Sequence, residues 1–399
     1  MESKLVTKIS LAAFLLLSPS NAIHVELLGT HQLEAGVEKA CLESQSCGSL
    51  SCDYSLERFL NPNTDWETHH LNRPYSDDSF PAASTSLYWK GFLGSDREYY
   101  QTAQQVSGWK RIRELEGGTP SLWGDKGVLP HGVNQGMLGD CWALGAASAL
   151  AEYPGRVKAL FDNEGLSTEG IYRLNLYYRG QPMKIVVDDR LPVWNGNEPI
   201  NAKKSRNGAW WYTILEKAFA KMFVSYANLS GGFSSEAFRA LTGMPVVTHP
   251  IGYVPNMYND EKIWTIVKEA DKNGYPMSGG IFKVKHGLTS GHAYSILDVY
   301  EIKDGDRVVE KLVKVRNPWG VERYNGPWSD SSSLWTAEYE KQVDFKKAND
   351  GVFFMPFSVF KEVFSMFGIA MYEPKWEMSS TLIRTEKSKQ QVRFTNPTR

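Results

Sequence analysis

The run Gln135-Gly136-Met137-Leu138-Gly139-Asp140-Cys141-Trp142 constrains this chain more than any other stretch. It is followed by Ala143 to Glu152, small residues and leucines with no charge before Glu152. That pattern, with two glycines just ahead of it, predicts a helix buried on most sides. Asp140 is a favoured N-cap type, so Cys141 falls in the first helical turn. A thiol there feels unpaired backbone N–H groups and the positive end of the helix dipole, and both favour the attacking thiolate. Gln135, six residues upstream, carries an amide able to donate to an oxyanion beside the Cys141 N–H. The same features also fit a buried structural thiol, because free cysteine is among the most buried residue types. The stretch by itself does not choose between them.

Its partners come later. Gly291 to Ile302 and Val308 to Asn317 are β-rich runs separated by Lys303-Asp304-Gly305-Asp306, a hairpin signal. With Asp304 and Gly305 as the two turn residues, His292 stands directly opposite Asn317, Cβ atoms about 5 Å apart. Alone, His292 reads equally as a core or surface histidine and Asn317 as a turn former. Together they supply a base and the group that fixes its tautomer, the complement of a nucleophilic cysteine. Pro318 keeps Asn317 extended, and Trp319 is placed to cover the imidazole–amide bond from water.

With these residues in view, the chain resembles the calpain family of papain-like cysteine endopeptidases. The matching stretches are Gln135 to Trp142, Gly291-His292-Ala293-Tyr294-Ser295 and Arg316-Asn317-Pro318-Trp319-Gly320. Others are Trp328-Ser329-Asp330-Ser331, Val186 to Pro192, Trp211 to Lys217, Leu229-Ser230-Gly231-Gly232 and Asp350 to Phe354. Asp78 to Ala82 and Trp109-Lys110-Arg111 look like the family's entry segments. The resemblance implies an α+β, papain-like fold of two lobes with the active site in the cleft between them. It implies Cys141 as nucleophile, His292 as general base and acid, Asn317 as orienter, Gln135 in the oxyanion hole and Trp319 supporting the cleft. The substrates would be proteins or peptides, cleaved through an acyl-enzyme. Two other classes stay open, a catalytically silent peptide-binding pseudoprotease and a transglutaminase-like acyl transferase. The second uses Cys-His-Asp, where this chain has Asn317.

The same resemblance implies a Ca²⁺ site in each lobe, and there the residues depart from the pattern. The first-lobe acids fall on Gly132 and Ala209; in the second lobe Arg323 and Val352 replace acids, while Asp330 and Asp350 remain. Ca²⁺ takes about six to eight oxygen ligands. The expectation is therefore no cofactor, no metal switching at these sites, and Arg323 lying between Asp330 and Asp350 in the cation's place.

The remainder is less specific. The 399 residues carry 44 basic and 45 acidic side chains, net charge −1, which shows no nucleic-acid footprint. Residues 1–22, with Lys4, Lys8, a short apolar run and Ser20-Asn21-Ala22, read as a secretory signal, too short to span a bilayer stably. That places the protein in the secretory pathway or outside the cell, or in the cytoplasm if the run is not a signal. Residues 23–74 hold Cys41, Cys47 and Cys52, and read as a pro-segment or accessory module; in an oxidising compartment the three cysteines allow one disulfide, paired in any of three ways with one thiol left over. A helix-rich lobe spans 75–243, a β-rich barrel-like lobe 244–372, and a polar basic tail 373–399. Asp188-Asp189 read as structural acids beside Arg190. Asn228-Leu229-Ser230 is an N-glycosylation sequon whose exposure is plausible beside Gly231-Gly232. Oligomeric state leaves no mark.

Overall fold

A computed structural model describes residues 74–88, 97–178, 180–251 and 258–373. The signal-like run, Cys41, Cys47, Cys52 and nearly all of the basic tail lie outside the described residues.

In the first lobe, strand β1 (Gly108–Arg111) precedes helix α1 (Cys141–Leu150). A hairpin follows, β2 (Ile171–Tyr178) antiparallel to β3 (Gln181–Asp188). Tyr172, Leu174 and Leu176 alternate inward along β2, the period-2 pattern of a half-buried strand. Strand β4 (Arg190–Trp194) lies between β1 and the short β5 (Glu198–Pro199). Helices α2 (Trp211–Met222) and α3 (Ser234–Thr242) complete the lobe. Its core gathers Leu144, Ile185, Trp211, Phe219 and Phe238.

Helix α2 has the apolar stripe that its sequence spacing predicts, but all twelve of its residues are buried. A helix buried all round must satisfy its charges inside. Lys217 pairs with Asp188, Lys221 with Asp77, and the Arg190 guanidinium also grips Asp188. Asp189 pairs with Arg111. The two acids are thus structural, as expected.

The second lobe contains β6 (Val246–Pro250), α4 (Asp260–Lys272), β7 (Met277–Ile281), β8 (His292–Asp304), β9 (Arg307–Arg316), β10 (Val352–Pro356), α5 (Phe357–Val363) and β11 (Phe364–Ala370). Asn259 caps α4 by accepting the Lys262 N–H. The strands form one antiparallel sheet in the order β10-β9-β8-β7-β11-β6. Trp264, Val267, Ile296, Val313, Phe353, Phe360 and Phe367 pack in its core.

The β8–β9 hairpin exists, but its register differs from expectation. Asp304 pairs with Arg307, so the turn is Gly305-Asp306, one residue later. One bulge lies at Leu297 on β8 and another at Val309 on β9. Being on opposite strands they cancel, and Ser295 faces Arg316. Continued by one step, that register sets Asn317 opposite Tyr294 rather than His292.

Helix α1 joins the lobes. Ala143, Gly145, Ala146 and Ala147 leave little side-chain bulk, so β8 approaches closely, and Ser295 Oγ donates to the Gly145 carbonyl at 2.8 Å. Arg316, fully buried, reaches from β9 to the Val133 carbonyl at 2.6 Å. Gln135 N–H donates to the Pro318 carbonyl at 3.0 Å. The neutral bonds among these contribute only about 0.5–1.5 kcal/mol net each and the Arg316 bond about 1.5–3 kcal/mol, and together they set the geometry of docking. Among the described residues no helix is long and apolar enough to cross a membrane.

Candidate active site

Cys141 is the first residue of α1. Its sulfur accepts the Ala293 N–H from β8 at 3.4 Å, and the N–H groups of Cys141 and Trp142 also face it. Cys141 is the free cysteine of the described residues. The helix-end environment is as expected, but it does not win. Burial pushes the thiol up to about 11, against the opposing pull of these N–H groups.

His292, first residue of β8, pairs along the backbone with Ile281 of β7. Its Nε2 lies 3.0 Å from Asn317 Oδ1. The Asn317 amide is oriented by two further bonds: Nδ2 donates to the Val321 carbonyl, and Oδ1 accepts the Trp319 N–H. Oδ1 is therefore the atom facing the ring, so Nε2 carries the proton and Nδ1 is left as the basic nitrogen. Trp319 covers the imidazole, ring centroids 4.3 Å apart, and Tyr294 meets it edge-on. His292 and Asn317 are 5% and 0% exposed. Burial pulls the imidazole down to about 4 despite the Asn317 bond. The expected pair thus forms although the register differs. His292 and Tyr294 share a face of β8, so a two-residue slip turns direct opposition into a diagonal contact on the same face.

Gln135 sits on the loop entering α1. One N–H of its amide donates to the Leu138 carbonyl at 2.7 Å, which fixes the side chain and leaves its second N–H uncommitted.

A Cβ on Gly132 would lie 2.8 Å from Trp211 Nε1, and Ala209 is buried. The indole and a methyl fill the place where first-lobe carboxylates would stand, and this does not fit Ca²⁺. In the second lobe, Arg323 does not lie between Asp330 and Asp350, correcting that expectation. It is exposed, with its guanidinium 5.8 Å from the Trp319 ring centre. Neighbouring Glu322 points inward instead, as alternation along an extended chain requires. Its carboxyl accepts the Asp330 N–H at 3.2 Å. Asp330 and Asp350 in turn accept backbone N–H groups of Ala348 and Val352. Burial and the charges of Asp330 and Asp350 push Glu322 up to about 7. A proton, not a guanidinium, relieves this cluster, and two of the four second-lobe positions, Arg323 and Val352, offer no carboxylate.

Asn228 is half-buried. Its Nδ2, the atom a glycan would occupy, donates to the Phe223 carbonyl at 2.7 Å and its Oδ1 is buried. The contact of Asp140 with Glu216, the inward turn of Glu322 and the reach of Arg316 to Val133 escaped sequence reasoning.

Comparison with known proteins bears on this site. The sequence pattern of the family described as calpain family cysteine protease matches residues 75–371. The chain is 33% identical to calpain-14 of Homo sapiens over 309 residues, 75% of this chain and 43% of that protein. It is 32% identical to the calpain-1 catalytic subunit of Rattus norvegicus over 326 residues, 77% of this chain and 43% of that one. Against the calpain-type cysteine protease DEK1 of Zea mays the identity is 31% over 329 residues, covering 77% of this chain and 14% of that one. The chain spans less than half the length of these relatives.

Proposed function

The chain belongs to the calpain family of cysteine proteases, and from that membership we propose that it hydrolyses peptide bonds in proteins through Cys141, His292 and Asn317. The observation that carries this reading is that β8 presents both the Ala293 N–H to the Cys141 sulfur at 3.4 Å and the His292 ring, bonded to Asn317.

Thiol and imidazole are both pressed toward neutrality by burial. Attack then couples two events: the Cys141 S–H proton passes to His292 Nδ1 as the sulfur bonds to the substrate carbonyl carbon. The carbonyl oxygen becomes an oxyanion, received by the Cys141 N–H and the free N–H of Gln135. The imidazolium, steadied through Nε2–H by Asn317, then protonates the departing amine, and the C–N bond breaks. A water, deprotonated by His292, releases the acid and restores the thiol.

Two finer proposals accompany it. Gly132 and Ala209 support an activity that calcium does not switch at the first-lobe position. The pattern of residues 1–22 supports secretion, which intact-mass analysis of the chain from culture medium tests.

The central test is hydrolysis of casein or a fluorogenic peptide under reducing conditions. Wild-type protein should cleave, and Cys141→Ala should not. Equal cleavage by both, or stoichiometric alkylation of Cys141 with activity intact, rejects the assignment.

A further inference from the structure

Asp140 precedes the nucleophile and holds the N-cap position of α1, yet its side chain makes no cap bond. It turns into the interior, fully buried, and meets the carboxyl of Glu216 on α2 within hydrogen-bonding reach. Tyr212 OH donates to Asp140 Oδ2 at 3.4 Å. The other groups facing the pair are the Tyr226 hydroxyl, the Cys141 thiol and the Ala202 N–H. None of them is a cation. Two buried carboxyls in contact cannot both be ionised, since each would lose hydration and repel the other. They must share a proton. Burial raises both carboxyls, and the pair holds one proton between them.

Glu216 has a second attachment. Its two oxygens accept the Ala202 N–H at 2.9 and 3.1 Å. The segment around Ala202 in turn grips the loop that carries Gln135. Met137 N–H donates to the Ile200 carbonyl and Lys203 N–H to the Asn134 carbonyl, both at 2.9 Å. Gly136 lies so close that a Cβ there would fall 1.8 Å from the Asn201 oxygen. Glu216 therefore ties down both ends of the loop, residues 134–137 through Ala202 and residue 140 directly. Because Asp140 is held inward, the N–H groups of Cys141 and Trp142 are left facing the sulfur rather than a capping carboxylate.

We propose that Asp140 and Glu216 are a one-proton carboxyl pair that positions the two oxyanion donors, the Cys141 N–H and the Gln135 amide, relative to the nucleophile. Both are positioning residues, and the proposal rests on the peptidase reading above. It is tested with Glu216→Leu, Glu216→Gln and Asp140→Ala in the full chain. Three quantities are read: kcat and KM on a fluorogenic peptide, inhibition by a peptide aldehyde, whose adduct places an oxyanion in the site, and Cys141 alkylation by iodoacetamide, which forms none. Glu216→Leu and Asp140→Ala should lose on the order of a hundredfold in both kcat and aldehyde affinity, with KM and alkylation within about threefold. Glu216→Gln keeps an N–H for Asp140 and should stay within about threefold of wild type throughout. The proposal is overturned by wild-type aldehyde affinity in either disruptive variant, by equal losses of alkylation and aldehyde binding, or by Glu216→Gln failing as badly as Glu216→Leu. If Glu216→Leu does not fold, Asp140→Ala and Glu216→Gln decide by the same criteria. Wild-type protein that binds the aldehyde but cleaves nothing defeats the peptidase reading alone, and the aldehyde comparison still judges the pair.

Discussion

His292 and Asn317 are two residues out of direct opposition across β8 and β9, yet their side chains bond at 3.0 Å. The bond decides which imidazole nitrogen is basic, since Asn317 Oδ1 holds the proton on Nε2. Asn317→Ala frees the ring to adopt the other tautomer and to rotate. It should lower kcat by on the order of tenfold to a thousandfold while moving KM little, because the loss falls on proton transfer. Steady-state kinetics on one peptide substrate checks this; an unchanged kcat removes Asn317 from the mechanism.

The second prediction concerns the protonation of Cys141 and His292. Burial sets the thiol at about 11 and the imidazole at about 4. Between those values both groups are neutral, and thiolate is scarce near pH 7. The substrate-free rate of Cys141 alkylation should therefore climb about tenfold per pH unit from neutrality toward 11. A preformed thiolate–imidazolium pair would instead give a rate that levels off at acid pH. Stability follows with the opposite sign at each end. His292 is depressed, so the unfolded chain binds its proton first and stability falls as pH drops from 6.5 toward 4. Cys141 is raised, so the unfolded chain loses its proton first and stability falls as pH climbs from 9 toward 11.

Much of this site was legible in the chain because it rests on local signals. The cap-type Asp140, the small residues after it and the β-rich runs each specify one element, and each element formed. The His292–Asn317 contact survived a mistaken turn because side-chain facing repeats every two residues and the error, after two cancelling bulges, was two. The bulges themselves have no local mark, since Leu297 and Val309 look like ordinary strand residues. Contacts that depend on packing were equally silent. Nothing near Glu216 in sequence announces Asp140, which lies on another helix, and the inward turn of Glu322 depends on which face of its segment meets Asp330.

Within the first lobe, Lys217 and Asp188 are both wholly buried and paired. Burial pushes the Asp188 carboxyl up, but Lys217, Arg190 and the Asp77 N–H outweigh it and hold it below its usual range. Lys217→Met leaves Asp188 with only Arg190 as a charged partner and should cost about 3–5 kcal/mol. In the wild type this contribution is present above the unfolded carboxylate range and is lost as pH falls through the lower folded value. Urea unfolding of both proteins at pH 7 and near pH 3 checks it; the gap between them should narrow at the acid end. A gap that is equal at both pH values would detach the effect from Asp188 ionisation.

Calcium supplies the last test. In the first lobe, Trp211 Nε1 would lie 2.8 Å from a Cβ on Gly132, and Ala209 ends in a buried methyl. Neither place offers a carboxylate, and the cation needs about six to eight oxygens. In the second lobe Glu322 meets Asp330, but burial pushes Glu322 up to about 7, and Asp330 and Asp350 already accept backbone N–H groups. Meanwhile Arg316, Ser295 and Gln135 already hold β8 and β9 against α1 and its entry loop. Peptidase activity in excess EDTA should lie within about twofold of that at ~1 mM Ca²⁺, and calorimetry should give no saturable micromolar heat. Micromolar binding at two sites, or activation beyond about tenfold, would mean that the docking seen between α1 and β8 is not the active arrangement on its own.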